Sequence, residues 1–181
     1  MKIGVTGSIG AGKDTAARYL VGRGYTAISL SDYVRQETSK RGLEQKRENW
    51  QMVGNDMRGK QGADVLAKFA LAEMVNGGNY VITSIRNPRE IKTFEKSGDF
   101  TFVNIHCNAE ERYRRVVGRG TGGEGKISFE EFLESERVEE SKKANGLRMG
   151  DCINLATITI KNEGSEEELK KEIERVLGPF L

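Results

Sequence analysis

The sequence predicts an α/β fold, a five-stranded parallel sheet with helices on both faces, and three observations carry that expectation. Short runs of β-branched and aromatic residues alternate with helical stretches, the pattern of strands joined by crossover helices. The chain opens on an apolar strand that runs into a glycine-rich turn and then a helix, the layout of a phosphate-binding unit. Its 181 residues, 36% hydrophobic and 31% charged, suit one water-exposed domain with a sizeable buried core.

The first strand is Lys2–Thr6, followed by the turn and a helix through Ala16, Tyr19 and Leu20. Tyr25–Leu30 reads as the second strand, ending in Ser31-Asp32. Two helical segments follow: Trp50, Val53 and Met57 form one apolar stripe, and Val65, Leu66, Phe69 and Ala70 begin another. By that stripe Trp50 belongs to the core and not to a base-stacking platform. Gly77-Gly78 ends the second stripe, and Tyr80–Thr83 reads as the third strand. Pro88 opens a helix carrying Ile91 and Phe94, as proline does at a first helical position. Phe100–His106 is the fourth strand and Ala109–Val117 the next helix. A loop with five glycines spans 118–126, and Ser128-x-x-Glu131 then caps a charged helix. Thr157–Lys161 is the fifth strand. Ser165-x-x-Glu168 caps the last helix, whose acids precede Lys171 and Arg175 as the helix dipole favours. The stretches 33–75 and 118–150 are longer than one crossover needs and read as insertions over a single sheet.

Bulk properties exclude several classes. Twenty-two glycines against two prolines point to tight turns and backbone-lined sites. A net charge of +2 makes no global electrostatic case for nucleic-acid binding. Cys107 and Cys152 are far apart and fit no disulfide framework or zinc spacing. The lone His106 has no carboxylate or cysteine pattern around it and reads as a polar residue at a strand edge. No apolar run reaches transmembrane length, and Met1–Val5 enters a strand with no room for a signal peptide. A cytoplasmic protein, monomeric or homodimeric and without a membrane partner, is the expectation.

Gly7-Ser8-Ile9-Gly10-Ala11-Gly12-Lys13 fills G-x-x-x-x-G-K between strand and helix. Glycines let the chain curl so that backbone N–H groups meet phosphate oxygens, and the following helix adds its positive N-terminus. Lys13 would neutralise the β- and γ-phosphates, and charge stabilisation is most of what phosphoryl transfer requires. A dinucleotide-binding reading draws on Asp32, but Thr15 stands where that fingerprint wants Gly or Ala. Asp14 occupies the position where Ser or Thr usually holds magnesium, with Thr15 next. Asp14 either contacts the metal or is an acid placed by the helix dipole. No N-K-x-D motif of a GTPase occurs.

The loop Gly7–Thr15, Ile28–Arg35, Tyr80–Pro88 and Thr157–Ser165 together resemble the P-loop superfamily of nucleoside-monophosphate and dephospho-CoA kinases, over almost the whole chain. The Gly-Lys-Asp-Thr form of the loop is similar to that of phage-type deoxynucleoside-monophosphate kinases. The resemblance implies a three-layer P-loop NTPase sandwich of strand order 2-3-1-4-5, with ATP and Mg2+ as cofactors. It implies an acceptor-binding insertion near 33–75 and a lid near 118–140, with Arg115 and Arg119 at the lid's entrance and Arg137 beyond it. Arg35, Arg58 and Arg86 become candidates for an acceptor's phosphate, since a guanidinium fork matches its oxygens. Arg112-Tyr113-Arg114-Arg115 cannot turn all its charges one way, so at most two of its arginines face a site.

Asp32 then either orients or deprotonates an acceptor hydroxyl, holds magnesium through water alongside Asp14 and Thr15, or caps a helix. One departure stands out. Relatives carry an acid on the third strand, where this chain has Thr83-Ser84. The leading expectation is ATP-dependent phosphorylation of a nucleotide-like small molecule, a (deoxy)nucleoside monophosphate ahead of dephospho-CoA. A nucleotide-dependent regulatory ATPase or switch without a small acceptor is the rival, and the missing acid is its support. Both need the loop: Lys13→Ala is expected to weaken triphosphate binding in titration calorimetry, and unchanged affinity would remove the loop from the argument.

Overall fold

Five parallel strands lie in the order β2-β3-β1-β4-β5, as expected. The computed structural model describes residues 1–119, 127–138 and 148–180. β1 (Lys2–Thr6) is central, pairing Ile3 with Val81 of β3 (Tyr80–Thr83) and with Thr101 of β4 (Phe100–His106). β2 (Thr26–Ser29) and β5 (Ile158–Lys161) are the edges. The inner strands are buried on both faces, which is why they read as near-continuous apolar runs.

One face is covered by α1 (Lys13–Gly22) and α9 (Glu166–Leu177), whose Leu20, Leu169 and Ile173 pack on Ile3, Val5 and Ile105. The other face carries α2 (Leu30–Lys40), α3 (Arg47–Gln61), α4 (Val65–Glu73), α5 (Pro88–Lys96) and the short α8 (Met149–Asn154). There Val34, Val53, Leu66 and Phe94 bury against Ile82 and Phe102. α6 (Ala109–Arg119) leaves β4 and packs against α7 (Phe129–Val138). Among the described residues no helix is long and apolar enough to cross a membrane. Of the lid expected at 118–140, residues 120–126 and 139–140 lie outside the described residues, and α7 falls within its second half.

Both serine capping boxes form. The Ser128 and Glu131 backbone N–H groups donate to each other's side chains at 2.7 and 3.1 Å, and Ser165 and Glu168 do the same at 2.7 and 3.3 Å. One boundary and two elements differ from expectation. β2 ends at Ser29, and α2 begins at Leu30. Asp32 is therefore a first-turn residue of α2, not the end of a strand and not an N-cap; Ser29 takes the cap position. The extended geometry of Ser29 is followed at once by helical residues whose Leu30 and Val34 enter the core, and that burial sets the boundary. The first insertion also holds α2 in addition to the two expected helices, and α8 was not anticipated because its six residues offer too short a period.

A third capping box, at Asn87 and Glu90, ties this face together. Glu90 has no solvent exposure, and Arg58 of α3 is 4% exposed. Glu90 Oε1 accepts from Arg58 Nε at 3.2 Å and Nη2 at 3.1 Å. Its Oε2 accepts the backbone N–H groups of Arg86 at 2.9 Å and Asn87 at 3.1 Å. Glu90→Ala strands a buried guanidinium and two buried donors, so it is expected to cost about 3–5 kcal/mol of stability. A urea unfolding curve reads this as a lower midpoint at unchanged slope; a midpoint like that of the wild type would show the pair is not what joins α3 to α5.

Candidate active site

The turn after β1 needs glycine at two points for stated reasons. Gly7 has φ 143°, and a Cβ there would collide with the carbonyl oxygen of Ile105. Gly12, at φ 101°, is the left-handed N-cap of α1, and a Cβ there would collide with Nδ2 of Asn162. With no side-chain cap on α1, its first-turn N–H groups are left for a ligand. Ser8 O accepts from Ala11 N at 3.2 Å and from Lys13 Nζ at 2.9 Å, so the lysine lies back on its own loop. Two further loop carbonyls are held from outside: Ile9 O by Arg112 Nη1 at 3.2 Å, and Ala11 O by Asn162 Nδ2 at 2.8 Å.

The electrostatics around Lys13 are unusual. Burial lowers its ammonium from 10.5 to about 8; Asp14 raises it, Arg86 and Arg112 press it further down, and Glu136 raises it. Arg86 is itself pushed down, first by burial and then by Arg58, Arg47 and Arg35, with Glu90 opposing. Arg86 is thus felt by Lys13 on the donor side and by three arginines of α2 and α3. Its backbone is fixed at both ends, N to Glu90 Oε2 at 2.9 Å and O to Arg148 N at 2.8 Å. Among the described residues its guanidinium has no ion pair.

The other expected residues separate into groups. Asp32 is exposed and pairs with Arg35 at 3.2 Å, while the Arg35 guanidinium lies 4.9 Å from the centroid of Trp50. Trp50 is half-buried at the rim of the core and donates to Gln45 Oε1 at 2.9 Å. Arg58 is spoken for by Glu90. Arg115 reaches Gly164 O at 2.9 Å and Glu111 at 3.0 Å, facing the turn after β5. Arg114 is exposed and bonds Glu111, so the arginine run turns two members, Arg112 and Arg115, inward. The side chains of Arg119 and Arg137 lie outside the described residues.

β3 ends in Thr83 where an acid was expected, and hydroxyls gather just beyond it. Ser29 Oγ lies 2.9 Å from Ser31 Oγ and 3.3 Å from Ser84 Oγ, and Ser84 to Ser31 is 3.3 Å. Ser84 has φ 61°, the left-handed region uncommon for a residue with a Cβ.

Candidate metal ligands occur singly. Asp14 is exposed beside the loop, Thr15 Oγ1 accepts from Arg18 at 3.2 Å, and among the described residues no three His, Cys, Asp or Glu side chains group to hold an ion. That donor set fits magnesium, which takes one or two carboxylates together with substrate phosphates and water.

Sequence reasoning missed Arg112, Asn162 and Glu90 as site-building residues. Asn162 stands one residue past β5, a polar residue where the sheet's ligand edge lies, and that placement was the available signal.

Comparisons with known proteins agree with this architecture. The family described as an AAA domain matches residues 3–141. A UPF0200 protein of Methanothrix thermoacetophila is 30% identical over 177 residues, 97% of this chain and 95% of the relative. One of Thermococcus kodakarensis is 31% identical over 186 residues, 98% and 96% of the two chains. A UPF0200/UPF0201 protein of Archaeoglobus fulgidus is 33% identical over 92% of this chain, which spans 52% of that relative's length. Among solved structures, a Thermus thermophilus protein aligns with TM-score 0.63 at 24% identity, covering 100% of this chain and 98% of its own. Shikimate kinase of Aquifex aeolicus aligns with TM-score 0.57 at 17% identity, covering 99% and 98%. These two likenesses concern the fold.

Burial, with Arg86 and Arg112, holds the Lys13 ammonium down to about 8 in the unliganded protein. A bound triphosphate restores its proton, so between about pH 8 and 10 binding takes up a proton and affinity falls as pH rises. The unfolded chain binds more protons over that window, so the unliganded fold gains stability as pH rises through it. Calorimetry at pH 9 in buffers of different ionisation enthalpy should show uptake in the wild type and none in Lys13→Met. Equal signals from the two would place the lysine's ordinary pKa in the free protein.

Proposed function

The chain belongs to the AAA domain family and to the UPF0200 proteins, and from that premise we propose that it is an ATP-dependent kinase of a nucleotide-like small molecule. A (deoxy)nucleoside monophosphate ranks ahead of dephospho-CoA as acceptor, on the Gly-Lys-Asp-Thr form of the loop. The observation that carries this reading is the surplus of positive charge running from Lys13 through Arg86 toward Arg35. Such a line suits a reaction that brings two anionic partners together and spreads charge over a phosphoryl group in flight.

On this reading the loop Gly7–Thr15 holds the triphosphate, with backbone N–H groups and the α1 N-terminus meeting its oxygens. Lys13 leaves Ser8 O and neutralises the β- and γ-phosphates. Arg86, between the two sides, steadies the phosphoryl group, and Arg35 takes the acceptor's anionic end. With a nucleoside monophosphate the attacking atom is an oxygen of the phosphate that Arg35 holds, and no base is needed. With dephospho-CoA the acceptor is a hydroxyl, and Asp32, released once Arg35 engages the anionic end, would accept its proton. Asp14, with Thr15 and Asp32 as further candidates, would hold magnesium, which would supply charge neutralisation at the phosphates. Arg115, Arg119 and Arg137 would belong to a lid that keeps water from the donor.

The switch reading keeps one specific support, the threonine at position 83 where an acid was expected, with only the hydroxyls of Ser29, Ser31 and Ser84 gathered beyond it. Purified protein with ATP and magnesium, offered a panel of nucleoside monophosphates and dephospho-CoA, should release ADP in an acceptor-dependent way. Arg86→Ala should reduce that rate by about a hundredfold or more. ADP release that never rises above the ATP-only baseline for any acceptor would sink the kinase reading. Retention of a macromolecular partner in ATP but not in ADP would then favour the switch.

A further inference from the structure

The geometry points to Arg112 and Asn162 as positioning residues that hold the phosphate loop in its anion-binding shape from outside. The inference rests on the reading of Gly7–Thr15 as a triphosphate site and adds what sets its shape. In a planar trans peptide the C=O and the following N–H point in opposite directions. Ile9 O is drawn to Arg112 Nη1 at 3.2 Å, which turns the Gly10 N–H away from α6. Ala11 O is drawn to Asn162 Nδ2 at 2.8 Å, which turns the Gly12 N–H away from the end of β5. Among the described residues neither N–H donates to anything. Two unspent donors, on either side of Ala11 whose own N–H is taken by Ser8 O, are left to meet phosphate oxygens.

Both clamps are themselves fixed. Arg112 is 7% exposed, and its Nε donates to Cys107 O at 3.1 Å, so one guanidinium joins the end of β4 to the loop. Nη1 also meets Glu136 of α7, and the Phe132 ring lies 5.4 Å from the guanidinium carbon. Asn162 is 6% exposed, and its N–H donates to His106 O at 2.7 Å. The loop is therefore preorganised by β4, β5 and α7, none of which is adjacent to it in sequence. Preorganised donors cost no rearrangement when charge arrives.

The test uses two substitutions that spare volume or charge. Asn162→Leu keeps the bulk and removes the donor; Arg112→Lys keeps the charge but cannot span Ile9 O and Cys107 O together. Each is expected to raise the Kd for inorganic tripolyphosphate about tenfold, with an equal factor for a non-hydrolysable ATP analogue. Unchanged tripolyphosphate affinity in correctly folded variants, or a loss seen with the ATP analogue alone, would overturn the inference and leave the triphosphate site standing. A wild type that binds neither ligand would remove that site as well. Should a variant fail to fold, amide exchange in the wild type decides. Tripolyphosphate should slow exchange at the Gly10 and Gly12 N–H groups, and unaltered exchange at both would overturn the assignment.

Discussion

The carboxylate of Glu90 governs the geometry of the acceptor side, because a charge with no access to water must have its lone pairs answered. Two answers come from Arg58 on α3 and two from the N–H groups of Arg86 and Asn87. One side chain therefore ties α3, the turn after β3 and the start of α5 into a single unit. The same bonds fix the backbone of Arg86 and neutralise Arg58. Two arginines that look alike in sequence acquire opposite roles. Arg58 becomes structure, and Arg86 is left charged and without an ion pair among the described residues.

From that asymmetry follows the electrical character of the site. Burial and neighbouring arginines hold both Lys13 and Arg86 down, Arg86 itself pressing on Lys13. Asp14 and Glu136 offset this only in part at Lys13, and Glu90 only in part at Arg86. Free, the pocket resists its own charge; an anion removes that resistance, so part of the binding energy is the relief itself. The loop adds donors that have not been spent elsewhere. On the kinase reading, donor and acceptor binding would share one origin, positive charge held in place by its surroundings.

How much of this could be read from the chain depends on whether a feature is local. The strand order followed from the resemblance, and the loop followed from seven consecutive residues. Ser128 and Ser165 announced their helices because a capping box is complete within four positions. Glu90 fits the same box with Asn87, but its second oxygen answers a residue thirty-two positions away, and no spacing rule encodes that. Asp32 was misplaced by a turn because strand and helix meet with no intervening loop, and apolar burial of Leu30 decided the boundary. Arg112 hid inside a basic run whose members are equivalent until the fold turns one to Ile9 O and another to Gly164 O.

The missing third-strand acid and the surplus cation are two sides of one fact. The acid was expected at Thr83, the last residue of β3, and an aspartate there would place a negative charge three residues from Arg86. It would neutralise part of the positive field that presses on Lys13. Hydroxyls at Ser29, Ser31 and Ser84 instead satisfy one another without adding charge, and each can still exchange a bond with a ligand oxygen or a water. The edge between β2 and β3 therefore stays polar but uncharged. Asp14, Asp32 and Glu136 are the carboxylates already in place, and one at Thr83 would add to them before any ligand arrived.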